Sequence, residues 1–142
     1  MVFAGRLHQC QRAIAFSGQS AVDPSIVPWE GRYDQWFKGV SKWNGLDATK
    51  MLDPHVRYLS FFGRQEAIDL RHAERLISVR WPSMTVCIID RCGHDVSLYL
   101  KQQGLLIPLI ESLISEGREC KDWAPVLRPV AHEIFGDPPA DC

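Results

Sequence analysis

A chain of 142 residues with 46% hydrophobic content can bury one packed core, which argues against a disordered chain and against a many-domain assembly. Its formal net charge is −1 with acids and bases interspersed, so it offers no electrostatic footprint for nucleic acid or for an anionic membrane. No apolar run is long enough to span a bilayer, residues 1–10 show no signal-peptide pattern, and an odd count of five cysteines without a Cys-x-x-Cys pair fits a reducing compartment; the expectation is a soluble cytoplasmic protein.

Arg12-Ala13-Ile14-Ala15-Phe16 is short, apolar on both faces and followed by Ser17-Gly18-Gln19-Ser20, the pattern of a buried central strand ending in a loop. Asp23-Pro24 and Pro28-Trp29 break regular structure. Tyr33, Trp36, Phe37 and Val40 then recur at helical spacing, which predicts an amphipathic helix over residues 31–43. Together with Trp29 and Trp43 these aromatics could line an acyl or sugar pocket, although core packing is the commoner use of such spacing.

After Asp53-Pro54, residues 56–62 are β-prone and stop at Gly63, and Leu70, Ala73, Leu76 and Ile77 follow at helical period. Trp81-Pro82-Ser83 ends that helix. Residues 84–89 form a further strand-like run, interrupted at Asp90-Arg91-Cys92-Gly93 just before His94. Residues 96–114 are rich in leucine and isoleucine with Gly104 and Pro108 as interruptions, predicting two short helices or one broken one. Beyond Gly117 a proline-rich tail is expected to carry a short helix near residues 130–135.

Strands alternating with helices predict an α/β fold, a small parallel sheet of three strands with flanking helices and open edges, over residues 1–120, with residues 121–142 as a tail. In such sheets functional side chains gather beyond the carboxyl ends of the strands. Two loops there contain Glu66 with Asp69, and His94 with Asp95.

Tyr58-Leu59-Ser60-Phe61-Phe62-Gly63, Asp69-Leu70-Arg71-His72-Ala73-Glu74-Arg75-Leu76 and Cys92-Gly93-His94-Asp95 resemble the C-terminal half of the α/β-hydrolase superfamily. In that family the triad acid follows the penultimate strand and Gly-His follows the last. The resemblance extends upstream through residues 7–17, similar to the end of the helix after the nucleophile and the next strand, and covers residues 2–115 in all. Ser17-Gly18-Gln19-Ser20, Asp23-Pro24 and Pro28-Trp29-Glu30 look closest to bacterial serine-esterase-like members, some of them associated with polysaccharide or surface-glycan loci.

What the resemblance implies is chemically specific. A serine hydroxyl is a poor nucleophile until a histidine removes its proton, and a carboxylate fixes that histidine's tautomer and stabilises the imidazolium. His94 would be the general base and Asp69 its orienting acid, with Glu66, three residues after Gly63, a rival for the acid role. No metal and no cofactor is implied.

Plainer roles stand beside these. Asp69 could simply cap a helix, His94 could be a hydrogen-bonded loop residue, and His72 falls inside a helix at a packing position. His8, His55 and His132 have no convincing partner by spacing. Cys87, Cys92 and His94 invite a zinc reading but lack a second ligand pair, so core or loop thiols are favoured.

The sequence has no Gly-x-Ser-x-Gly nucleophile elbow, and Ser17-Gly18-Gln19-Ser20 lacks the pair of flanking glycines and runs into Asp23-Pro24 rather than a helix. On the family alignment residues 1–7 fall within the helix that normally begins at the nucleophile, so an uncovered sheet edge is expected, and with it self-association or an N-terminal half-domain partner. Two functions follow as expectations. One is a serine-hydrolase half, acting on a small ester or glycan-related substrate only when completed; the other is a non-catalytic interaction domain that binds a protein or glycan. A flavodoxin-like or receiver-like module ranks below both, for want of a phosphate loop or an acidic phospho-acceptor cluster.

Overall fold

The computed structural model describes residues 12–17, 56–81, 83–114 and 123–136. The helix expected over residues 31–43, its aromatic set, His8 and His55 lie outside the described residues.

The strands are β1 (Arg12–Phe16), β2 (Arg57–Gly63), β3 (Met84–Ile89) and β4 (Glu133–Phe135), hydrogen-bonded in that order into an open sheet. β1, β2 and β3 are parallel, with Ile14 opposite Leu59 and Phe61 opposite Cys87. β4 runs antiparallel to β3, with Cys87 opposite Ile134. The fold is a small α/β fold with a mostly parallel sheet and flanking helices, as the alternation of elements predicts.

Period-two alternation distributes the strand side chains between two cores. Leu59, Phe61, Cys87 and Ile89 face one layer, while Tyr58, Phe62, Met84, Val86 and Ile88 face the other. This double burial explains why β2 and β3 read as nearly continuous apolar runs. On the second face lies α1 (Ala67–Val79), packed through Ala73 and Leu76. On the first lie α2 (Val96–Gln102), α3 (Leu106–Ile114) and α4 (Ala124–Leu127), which contribute Val96, Leu100, Leu109, Leu113 and Leu127. Phe61 anchors that layer, stacked on Phe16 at 5.3 Å and meeting Trp123 edge-on at 6.3 Å between ring centroids.

Local chemistry sets the ends of the helices. Glu66 is the N-cap of α1, its carboxylate accepting from the Ile68 N–H at 3.3 Å, and Arg80 closes the helix in a left-handed conformation with its N–H donated to the Ile77 carbonyl. The leucine-rich segment forms two helices, separated at Gly104, whose φ of +70° suits glycine. Pro108 does not interrupt it. Proline at the third residue of α3 sits in the first turn, where its missing N–H has no intrahelical acceptor to lose.

The tail differs from expectation. Residues 130–135 hold no helix: a short helix comes earlier, at Ala124–Leu127, and Glu133–Phe135 is a strand. Pairing with β3 supplies hydrogen bonds that a three-residue segment could not obtain alone, so tertiary context overrides local pattern.

Gly63, the last residue of β2, is the tightest point. A Cβ placed there would lie 1.9 Å from the Gly93 carbonyl oxygen and 2.6 Å from that of Cys92, both of them backbone atoms. Gly63→Ala is therefore expected to cost about 1–3 kcal/mol, the usual range for overpacking, measured by urea denaturation; stability equal to that of the unaltered protein would show that the loop over β2 yields freely.

Candidate functional site

Three chain segments leave the carboxyl edge of the parallel strands side by side: Ser17 after β1, residues 64–66 after β2 and residues 90–95 after β3. The third segment folds back over the end of β2. The Gln65 N–H donates to the Cys92 carbonyl at 2.9 Å, Gly93 rests against the bare Cα of Gly63, and the Ser17 hydroxyl donates to the His94 carbonyl.

This fold-back brings His94 against Asp69. Nδ1 of His94 lies 2.9 Å from Oδ1 of Asp69. Because an ionised carboxylate only accepts, Nδ1–H is the donor, and a neutral ring then carries its lone pair on Nε2. The Asp69 side chain is 2% exposed and that of His94 62%, so the carboxylate is sequestered while the ring meets solvent. Asp69 lies in the first turn of α1, where the helix dipole favours a negative charge. Its second oxygen, Oδ2, is buried without a hydrogen-bond partner among the described residues, so the hydrogen bond from His94 carries much of this carboxylate's stabilisation.

Of the two carboxylates expected to compete for the acid role, Asp69 contacts the imidazole and Glu66 caps the helix. Asp95 is exposed and stands as N-cap of α2 without a side-chain capping bond. His72 is buried one turn along α1 from Asp69. Burial pushes its imidazole below the ordinary value of 6.5, with the neighbouring Arg75 and His94 acting in the same direction and the Asp69 charge opposing.

The two described cysteines are free thiols held in the protonated form. Burial pushes Cys87 up to about 12, and burial followed by the charges of Asp69 and Asp95 pushes Cys92 up to about 11. Neither is a ready thiolate nucleophile. Among the described residues no group of three or more His, Cys, Asp or Glu could hold a metal ion.

A second polar cluster flanks the site where β4 joins the sheet, and spacing gave no sign of it. Nε of Arg64 donates to Asp90 Oδ1 at 2.6 Å and Nη2 approaches Glu133 Oε1 at 2.9 Å, while Nδ1 of His132 lies 2.5 Å from Asp90 Oδ2. These hydrogen bonds, from His132 first and Arg64 second, hold the Asp90 carboxyl below its ordinary value, and the two carboxylates raise the Arg64 guanidinium. Away from both clusters, at the amino end of β3, a cavity of about 320 Å³ is lined by Leu76, Trp81, Met84 and Phe135, with Arg80 beside them.

Comparison with protein-family models, curated proteins and solved structures returns no match to this chain. Among the described residues no helix is long and apolar enough to cross a membrane.

Two pH dependences follow from these environments. His72 in the folded state stays neutral to a lower pH than in the unfolded chain, so the unfolded chain binds more protons once the pH falls below about 6.5, and stability present above that value is lost on acidification. Urea midpoints between pH 8 and pH 5 should fall for the unaltered protein and flatten in His72→Gln. Asp90, with its lowered pKa, contributes stability above the ordinary value of 3.8 that is lost as the pH falls through its folded value. Thermal melts should show a lower Tm at neutral pH for Asp90→Asn and a shallower acid decline.

Proposed function

We propose that the chain carries the proton-transfer half of a serine-hydrolase-type site, with His94 as general base and acid, Asp69 as its orienting carboxylate, and the nucleophile supplied by another segment or another chain. The observation that carries this reading is the 2.9 Å bond from an exposed imidazole to a buried carboxylate at the carboxyl edge of parallel strands. Support also comes from order, since the acid follows β2 and the histidine follows β3, the arrangement implied by the α/β-hydrolase resemblance. The substrate class is a small ester, with glycan-linked acyl groups as one form.

The chemistry asks little beyond this geometry. As a hydroxyl oxygen attacks the ester carbonyl, its proton passes to Nε2 of His94, and the resulting imidazolium is stabilised by Asp69 through Nδ1–H. Nε2 then returns the proton to the departing alkoxide as the C–O bond breaks. Water repeats the sequence on the acyl-enzyme, its proton going to Nε2 and then to the released serine oxygen.

An activated aryl ester such as p-nitrophenyl acetate tests the reading, because an unprotonated Nε2 accelerates its hydrolysis even where no serine is engaged. The intact chain is expected to hydrolyse it slowly. His94→Ala should lower the excess over buffer to that left by the other exposed imidazoles such as His132, Asp69→Asn should lower the His94 contribution, and Glu66→Gln should leave the rate nearly unchanged. Equal rates for the unaltered protein and for His94→Ala would sink the hydrolase reading in favour of a binding domain.

A further inference from the structure

We infer that Ser17 is a positioning residue for the His94–Asp69 pair, its hydroxyl fixing the carbonyl of His94 so that the ring is held against Asp69. The inference rests on the reading of His94 as the base, and it names a residue that the triad pattern does not supply.

Topology makes the contact unusual. Ser17 follows β1 and His94 follows β3, so β2 lies between them in the sheet. They meet only because residues 92–94 lean across the end of β2 at Gly63, where the absence of a side chain opens the path. The Ser17 hydroxyl then donates to the His94 carbonyl across 77 residues of sequence.

Ser17 is itself firmly held. Its N–H donates to the Phe61 carbonyl at 2.7 Å, extending the β1–β2 ladder by one residue, and its φ of +49° lies in the left-handed region that a serine seldom adopts. A non-glycine residue kept there is a local cost that the surroundings must offset. The compensation visible here is the hydroxyl bond to the histidine segment.

The remaining ties on that segment show what the hydroxyl adds. Gln65, in the turn after β2, fixes Cys92, and the Val96 N–H donates to the same His94 carbonyl at 2.9 Å from the start of α2. Neither comes from the β1 side of the crossing. Ser17 holds the far side, so that the peptide bearing the imidazole is gripped between β1 and α2. Among the described residues the ring's side-chain partner is Asp69, and its large exposure leaves little packing to orient it, so control of the backbone is what sets its direction.

The state of the ring can be read without turnover. In the full chain, long-range 1H–15N correlations through the carbon-bound ring protons report which nitrogen of His94 carries the proton. The unaltered protein should show mainly the Nδ1–H tautomer. Ser17→Ala and Ser17→Gly should both lower the ratio of Nδ1–H to Nε2–H by roughly 3- to 10-fold, the size expected for loss of one neutral hydrogen bond. Glycine accepts the left-handed backbone freely, so a change in both variants assigns the effect to the hydroxyl. Ser17→Asn, which tolerates that backbone and brings an amide donor, should recover part of the ratio.

A ratio unchanged in both variants, or changed in Ser17→Ala alone, overturns the proposal, the latter by reducing Ser17 to a matter of backbone strain. A fluorophosphonate adduct on Ser17 overturns it as well, because the hydroxyl would then be a nucleophile. If His94→Ala leaves ester hydrolysis untouched while the Ser17 variants still shift the tautomer, the base reading fails and the tie from Ser17 stands.

Discussion

The contact between the Gly93 carbonyl and the bare Cα of Gly63 is the constraint on which the site depends. Any side chain at the end of β2 would occupy the space through which the segment after β3 passes, and that segment would have to leave the sheet in another direction. With the space open, Cys92 accepts from Gln65, His94 reaches Asp69 on one side of the crossing, and its carbonyl reaches Ser17 on the other. The close approach of two backbones thus converts three separate strand ends into one polar cluster.

Burial on both faces of the sheet makes this edge rigid enough to matter. Phe61 and Phe62, adjacent in β2, point into opposite cores, and Cys87 and Ile88 do the same in β3. A shift of register by one residue would exchange the two apolar layers at every position, so the register that aligns the ends of β2 and β3 is fixed by packing far from the site. The division of labour between the two acids also follows from local structure. Glu66 meets the need of the helix for a cap, which leaves Asp69, one turn further along and turned inward, free to accept from His94.

Much of this was legible in the amino-acid sequence, for physical reasons that also mark where legibility ends. The runs that became β1, β2 and β3 are rich in β-branched and aromatic residues and bounded by breakers, and the helical period from Leu70 to Ile77 has only one plausible reading as an element. Glu66 and Asp69 could not be separated, because which acid faces His94 depends on where α1 begins, and a shift of one residue turns every side chain through about 100°. Residues 133–135 were misread as part of a helix because their strand conformation comes from pairing with β3, and the bond from His132 to Asp90 spans 42 residues with no local trace. Ser17 was legible as a strand end, but its contact with His94 requires the loop to cross β2, which only the glycine contact reveals.

Two histidine–aspartate pairs stand at this edge, and the difference between them explains why only one serves as a candidate for proton transfer. Asp90 divides its charge between two donors, His132 and Arg64, the second a guanidinium that remains protonated at any ordinary pH. Solvent reaches Asp90 more readily as well, which screens the attraction further. Asp69 is enclosed, its second oxygen lacks a hydrogen-bond partner among the described residues, and the partner it does have is a ring whose other nitrogen meets solvent. On the reading proposed above, a positive charge developing on His94 would meet a buried carboxylate that has a second oxygen unengaged among the described residues. The Asp90 cluster ties His132 and Glu133, at the start of β4, to the end of β3 and the loop after β2, whereas the Asp69 pair leaves an exposed ring nitrogen for the proton transfer proposed above.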